Sequence, residues 1–240
     1  VQTCALPILI AGRARNAYAL TRPPGHHCLP DDPMGFCLLA NVAIAIEAAK
    51  AAHGLGRVVV IDWDVHHGNG TEGIFYERPD VVTVSIHQER NFPRDTGAFA
   101  DRGAGAGEGT NLNVPLPPGA GHETYLAAFE RIVAPFVRAA RPELVVVACG
   151  FDASAVDPLS RTLLHAGSFA AMTRMTMDLA DALCDGRLVL CHEGGYSEVH
   201  VPFCGHATIE TLAGANETIA DPLEPRIAGQ QPDGRHRAFL

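Results

Sequence analysis

Four short, almost uninterrupted apolar runs rich in β-branched residues limit how this chain can fold: Arg57 to Ile61 (RVVVI), Val81 to Ile86 (VVTVSI), Leu144 to Cys149 (LVVVAC) and Arg187 to His192 (RLVLCH). A strand with one wet face alternates apolar and polar residues. Strands that are apolar throughout must be covered on both faces, as in the parallel sheets of α/β proteins. Helical patterns lie between and beside these runs. The segment Leu38 to His53 is alanine-rich, has no internal breaker, and meets a stop signal at Gly54. Leu126, Phe129, Ile132, Val133, Phe136 and Val137 mark the apolar face of a second helix, in which Pro135 should produce a kink. Phe169, Met172, Thr176, Leu179 and Leu183 mark a third. This alternation predicts an α/β fold, a parallel sheet with helices on both faces. The polar, Gly- and Pro-rich stretch from about His87 to Gly121 reads as one long loop, and loops of that length are usually functional. Residues 1–240 read as a single domain, with residues 221–240 a loosely packed tail. Residues 1–12 read as a doubtful segment and the chain as N-terminally truncated: it begins with Val1, and VQTCALPI has no turn or cap logic joining it to the residues after it.

Charge narrows the partners. Eighteen Lys and Arg against 27 Asp and Glu leave a net charge of −9, with no run of basic residues. Nucleic acids and anionic membrane surfaces both need a positive patch, so both are disfavoured. No apolar run approaches the ~18 residues that span a bilayer, and LPILIAG near the start lacks a basic leader and a small-residue cleavage site. The seven cysteines (Cys4, Cys28, Cys37, Cys149, Cys184, Cys191, Cys204) are scattered singly, without a C-x-x-C. They read as buried, reduced thiols of a cytoplasmic protein.

The ends of the apolar runs carry the chemistry. The first runs into Asp62-Trp63-Asp64-Val65-His66-His67-Gly68-Asn69-Gly70, and extended backbone puts Asp62, Asp64 and His66 on one side. The third runs into Gly150-Phe151-Asp152, and the fourth into Glu193-Gly194-Gly195-Tyr196. Ligands of open parallel sheets bind at the carboxyl ends of the strands. Two acids and a histidine from two strand ends, with a fourth position open, make the ligand pattern of a catalytic zinc. A lone D-x-H has a plainer use, with the carboxylates capping helices and the imidazole donating to a carbonyl. The second aspartate at a neighbouring strand end favours the metal. Upstream, Arg22-Pro23-Pro24-Gly25-His26-His27, followed by Gly35-Phe36-Cys37, presents two imidazoles from a proline-stiffened loop. Histidine is the side chain best suited to exchange protons near neutral pH.

In order along the chain, RPPGHH at 22–27, GFC at 35–37, IDWDVHHGNGT at 61–71, VSIH at 84–87, GFDASAVDPL at 150–159 and EGGY at 193–196 resemble the histone deacetylase family. The likeness is to its class II-like bacterial amidohydrolases, of the arginase/deacetylase fold, and extends from Arg13 to about Gly214. It implies Asp64, His66 and Asp152 as zinc ligands, His26 and His27 as the proton-transfer pair, and Tyr196 as hydrogen-bond donor to the oxyanion. Gly35, Phe36, Phe92, Leu159 and Gly195 would form a narrow channel. A structural potassium would sit on Asp62, Ser85 and the backbone near Asp64, His66 and Ile86. With Asp62 as partner, His26 should be an imidazolium; with neutral Asn69 as partner, His27 should be the neutral general base. Asn69 is an aspartate in some relatives. The substrate implied is an acylated lysine side chain or an acylated small amine, and the state implied is a homo-oligomer.

Three other functions compete with lysine deacylation. An acetylpolyamine amidohydrolase of the same fold should carry an acid at the rim position held here by Leu159, which tilts the choice to acyl-lysine. An arginase-type two-metal enzyme needs further bridging carboxylates, for which His67 and Asn69 are poor substitutes. A non-catalytic acyl-binding scaffold or inactive fragment would be told apart by turnover. His87, His122, His165, His192, His200 and His206 read as structural, Cys28 as a packing residue and Glu193 as a loop anchor.

Overall fold

Six strands, all paired in parallel, form one sheet in the computed structural model, which describes residues 8–216 and 218–232. They are β1 (Asn16–Ala19), β2 (Val58–Asp62), β3 (Val81–Gln88), β4 (Asn111–Leu116), β5 (Leu144–Cys149) and β6 (Leu188–His192), in the spatial order β1-β6-β5-β2-β3-β4. The four apolar runs are the four inner strands. Both edge strands lie outside that pattern. β1 is only the four residues NAYA, mostly half-buried. β4 falls within the stretch expected to be a long loop, and it pairs with β3 from Thr83↔Asn111 to Gln88↔Leu116. Its NLNVPL sequence contains Pro115, tolerable at an edge where one side of the strand has no neighbour to receive an N–H.

The helices are α1 (Asn41–His53), α2 (Asn69–Phe75), α3 (His122–Ala128), α4 (Ala134–Ala140), α5 (Ala166–Cys184), α6 (Val201–Ala213) and α7 (Glu224–Ala228). Strand alternation divides the core into two layers. Val59 and Ile61 of β2 join Tyr125, Phe129, Val137, Phe169 and Leu179 on one face. Val58 and Val60 join Val42, Ile46 and Phe75 on the other. Helices therefore cover both faces, as expected. Helix α1 starts at Asn41, three residues later than the alanine pattern suggests, leaving Leu38 and Leu39 exposed. It ends on Gly54 in the left-handed conformation, whose N–H caps Lys50 O. The predicted kink at Pro135 becomes a π-helical turn, Phe129–Val133, immediately before α4. Pro135 then falls in the first turn of α4, where its missing N–H interrupts none of that helix's own bonds.

The C-terminal segment is not a loose tail as far as Pro232. Asp221 is buried, accepting hydrogen bonds from His200 Nε2 (2.7 Å), Ala166 N (3.2 Å) and Leu223 N (2.8 Å). Ile227 is buried, and the Gln231 side chain accepts from His122 N and donates to Leu163 O. Hydropathy alone misses this segment because polar contacts bind it. At the other end Leu9 is buried in the second core layer, whereas residues 1–7, with Cys4, lie outside the described residues. The other six cysteines are free and buried. Among the described residues no helix is long and apolar enough to cross a membrane.

The winding positions the site. From β2 the chain builds outward through β3 and β4, then returns to the opposite side of β2 to lay down β5 and β6. The order reverses between β2 and β5, and the crevice beyond the carboxyl ends of such a strand pair is where ligands of α/β sheets bind.

Candidate metal centre and channel

Beyond β2 the alternation continues. Trp63 and Val65 are buried in the first core layer, while Asp62, Asp64 and His66 turn to the other side. Gln88 N donates to Val65 O and Trp63 N to Ala148 O, tying this segment to the neighbouring strands. Across the switch point, Asp152 follows β5. His66 Nδ1 lies 3.0 Å from both Asp64 Oδ1 and Asp152 Oδ2. The three donor atoms lie within 4.8 Å of one another, and all three residues are buried. Backbone amides hold the outer carboxylate oxygens: Val65 N donates to Asp152 Oδ1 (2.8 Å) and Gly194 N to Asp64 Oδ2 (2.7 Å). Glycine is required at this contact, because a Cβ on Gly194 would lie 2.1 Å from Asp152 Oδ2 and 2.6 Å from Asp64 Oδ2.

This donor set fits a divalent cation. Two buried carboxylates facing one imidazole nitrogen are an unfavourable grouping unless a positive charge lies between them. Burial, reinforced by Asp64, pushes Asp152 up to about 7. Burial works against Asp64 too, yet the His26 and His66 charges hold it below the ordinary carboxylate range. His66, opposed by burial but bonded to Asp152 and Asp64, is raised to about 10. An ion of hard-to-borderline character, with oxygen and nitrogen ligands, would take over the neutralisation that His66 provides.

The two histidines of the proline-rich loop differ as their partners in the sequence suggest. His26 Nδ1 lies 2.9 Å from Asp62 Oδ2, and its Nε2 lies 3.7 Å from Asp64 Oδ1. Burial opposes its charge, but Asp64 and Asp62 raise it well above the ordinary histidine value. His27 Nδ1 meets Asn69 Oδ1 at 2.8 Å. An amide oxygen only accepts, so Nδ1 carries the proton and Nε2 presents a lone pair. Burial, reinforced by the His26 charge, drives His27 down to about 2. The loop is fixed from two sides. Glu193 Oε2 accepts from Gly25 N and His26 N, the anchoring role expected of it, and His26 O receives the Gly70 and Thr71 amides at the start of α2.

A cavity of about 410 Å³ opens onto these groups, lined by His27, Gly35, Phe36, His66, Asn91, Phe92, Leu159 and Tyr196. Phe92 stands edge-on to His27 with ring centroids 4.9 Å apart. Phe36 and Leu159 are exposed at the mouth. Burial, together with Asp64 and Asp152, raises the Tyr196 phenol beyond its ordinary value, keeping it a protonated donor. Gly195 is not among the lining residues. Its φ of +127° turns the chain, with Val201 and Phe151 filling the space where a side chain would go. Asn91 joins the lining without having been expected there: its only sequence signal is adjacency to Phe92, and its amide reaches Leu159 O across the mouth. Asp62 and Ser85, expected beside an alkali cation, are register partners on β2 and β3, and Ile86 follows buried on β3. His87 pairs with Ser85 Oγ and Gly97 O beneath the site. His122, His165, His192, His200 and His206 take structural partners, for instance His200 between Ser154 and Asp221.

Comparison with known proteins places this geometry. Residues 3–212 match the histone deacetylase domain. The chain is 57% identical over 235 residues to the histone deacetylase-like amidohydrolase of Pseudomonas aeruginosa, covering 98% of this chain and 62% of that protein. It is 40% identical over 200 residues to a probable deacetylase of Archaeoglobus fulgidus, covering 83% of this chain and 55% of that one. Among solved structures it superposes on the HDA15 HD domain with a TM-score of 0.85 at 36% identity, covering 95% of this chain and 64% of the other. The chain thus spans between about half and two thirds of the length of these relatives. By sequence and by fold, it belongs to the histone deacetylase family.

Proposed function

We propose that this chain is a zinc-dependent amidohydrolase that removes acetyl or related acyl groups from the ε-amine of lysine. The observation that carries the reading is the convergence of Asp64, His66 and Asp152 at the base of a cavity whose walls are largely apolar. Asp64, His66 and Asp152 would hold the zinc, which supplies Lewis acidity towards a carbonyl oxygen and lowers the pKa of water. Around it the protein's own groups divide the work. The apolar walls of Phe36 and Phe92 suit the methylene stem of a lysine side chain and exclude water from the amide. His27, held neutral with Nε2 unprotonated, accepts the proton of the attacking water and returns it to the departing amine. His26, charged against Asp62, offers positive potential as negative charge develops. The Tyr196 hydroxyl donates to the oxygen on which that charge accumulates. Asp62, Ser85 and the carbonyls near Asp64, His66 and Ile86 would hold a structural potassium. The same proposal includes homo-oligomerisation, from the family likeness, and a cytoplasmic location, from the scattered reduced cysteines.

The test is metal content together with turnover of an acetyl-lysine peptide, a trifluoroacetyl-lysine peptide and acetylputrescine. The expected result is one zinc per chain and faster turnover of the lysine peptides. Preference for acetylputrescine would move the reading to an acetylpolyamine amidohydrolase. Bound zinc with no turnover of any of the three would leave an acyl-binding scaffold.

A further inference from the structure

We propose that Asp157 is a positioning residue for Tyr196. Its two carboxylate oxygens hold the backbone amides of two residues that line the channel, an inference that rests on the reading of Tyr196 as oxyanion donor. Asp157 is buried, and both of its oxygens are spent on backbone. Oδ2 accepts from Tyr196 N at 2.7 Å and Oδ1 accepts from Leu159 N at 2.9 Å. Both donor residues line the cavity. The Asp157 amide is itself tied to Ser154 O, on the loop that also carries Asp152.

Tyr196 depends on such a tie. The segment before it is fixed at Gly194, whose N–H binds Asp64 Oδ2 and whose carbonyl receives Phe151 N. Gly195 then turns sharply at φ +127°. The Tyr196 ring leans on Phe36 at 5.9 Å between centroids, and Phe36 is 69% exposed, a soft wall. The hydroxyl therefore takes its position from the backbone, and the Tyr196 N–H is the point at which that backbone is held. A displacement near 1 Å at a reacting group can cost about 10²-fold in rate.

The chemistry also says why an acid stands here. Asparagine offers one acceptor oxygen and an NH₂, so one of the two amides would face a donor. Asp157→Asn is therefore diagnostic while nearly isosteric. In amide hydrogen exchange, D157N and D157A should speed exchange about 10-fold or more at Tyr196 and Leu159 and leave Gly194, held by Asp64, unchanged. In turnover of acetyl-lysine peptide, Y196F should lose about 10²- to 10³-fold in kcat. D157N should lose roughly 10- to 10²-fold alone and no more than about 2-fold in the Y196F background, because the two act through one hydroxyl. Should D157N fail to fold, D157E, which keeps both acceptors on a longer arm, must show the same background-dependent loss. Equal losses in both backgrounds, or Tyr196 exchange unchanged in D157N, overturn the proposal. The exchange pattern without hydrolysis by the wild-type chain sinks the amidohydrolase reading and leaves the anchor standing.

Discussion

Asp221→Ala offers a sharp test of how far the fold extends towards the C-terminus. The substitution strands three donors: His200 Nε2, the Ala166 amide at the start of α5, and the Leu223 amide. Leu223 is half-exposed and its amide can turn to water. His200 is fully buried, and Ala166 nearly so. Each buried donor left without an acceptor costs about 1–3 kcal/mol, giving about 2–6 kcal/mol for the pair. That is a large share of the roughly 5–15 kcal/mol by which a domain is stable. At about 2–4 °C per kcal/mol for a domain of this size, Tm should fall by at least about 4 °C. Calorimetry of D221A at neutral pH checks the magnitude, and D221N, which keeps one acceptor, should fall less. The acid dependence supplies a sign. Burial opposes the charge, but the bonds from His200, Leu223 and Ala166 hold the Asp221 carboxyl below its ordinary value. Its contribution is therefore fully present above the unfolded carboxylate pKa and is lost as pH falls through the folded one. The deficit of D221N against wild type should shrink over that acid range. A D221A protein melting within about 2 °C of wild type would refute the reasoning and return the segment after α6 to the status of a tail.

The site supplies three more tests. Gly194→Ala puts a methyl where 2.1 Å separates it from Asp152 Oδ2, so zinc affinity by equilibrium dialysis should drop roughly 10- to 100-fold; unchanged affinity would count against the acid pair as ligands. Asn69→Asp sets a carboxylate at the 2.8 Å contact with His27 Nδ1, which stabilises the imidazolium. The base is then lost at a higher pH, and the acid limb of the kcat/KM profile should move upward; a stationary limb would deny His27 the role. His27→Ala should remove that limb, whereas His26→Ala should lower kcat with the limb retained, and identical losses with identical profiles would show the pair is not divided.

Much of the molecule is legible along the chain because burial on both faces leaves a local mark. Val58 to Asp62 and Leu144 to Cys149 read as inner strands because they are short, rich in valine and apolar on both faces, and both are buried along their whole length. The edge strands leave no such mark. NLNVPL reads as loop because its polar residues are satisfied by distant partners, Asn111 and Asn113 both donating to Glu72 Oε2. Asn91 is marked only by adjacency to Phe92, and Asp157, although it falls in the GFDASAVDPL segment, gives no local sign of its bond to Tyr196, because both bonds reach across the fold.

Residue type and near neighbours are enough to dictate the parallel sheet and the acids and imidazoles at its strand ends, whereas the difference between His26 and His27 rests on partners 36 and 42 residues away that the family resemblance supplied. The same local features offer Asp64, His66 and Asp152 as a ligand set but are silent on the return of β5 to the side of β2 that brings the three together, and on the seal that Asp221 makes at the far end. Those contacts join residues far apart along the chain, and their closeness is set by the winding of the sheet and the packing of its two core layers.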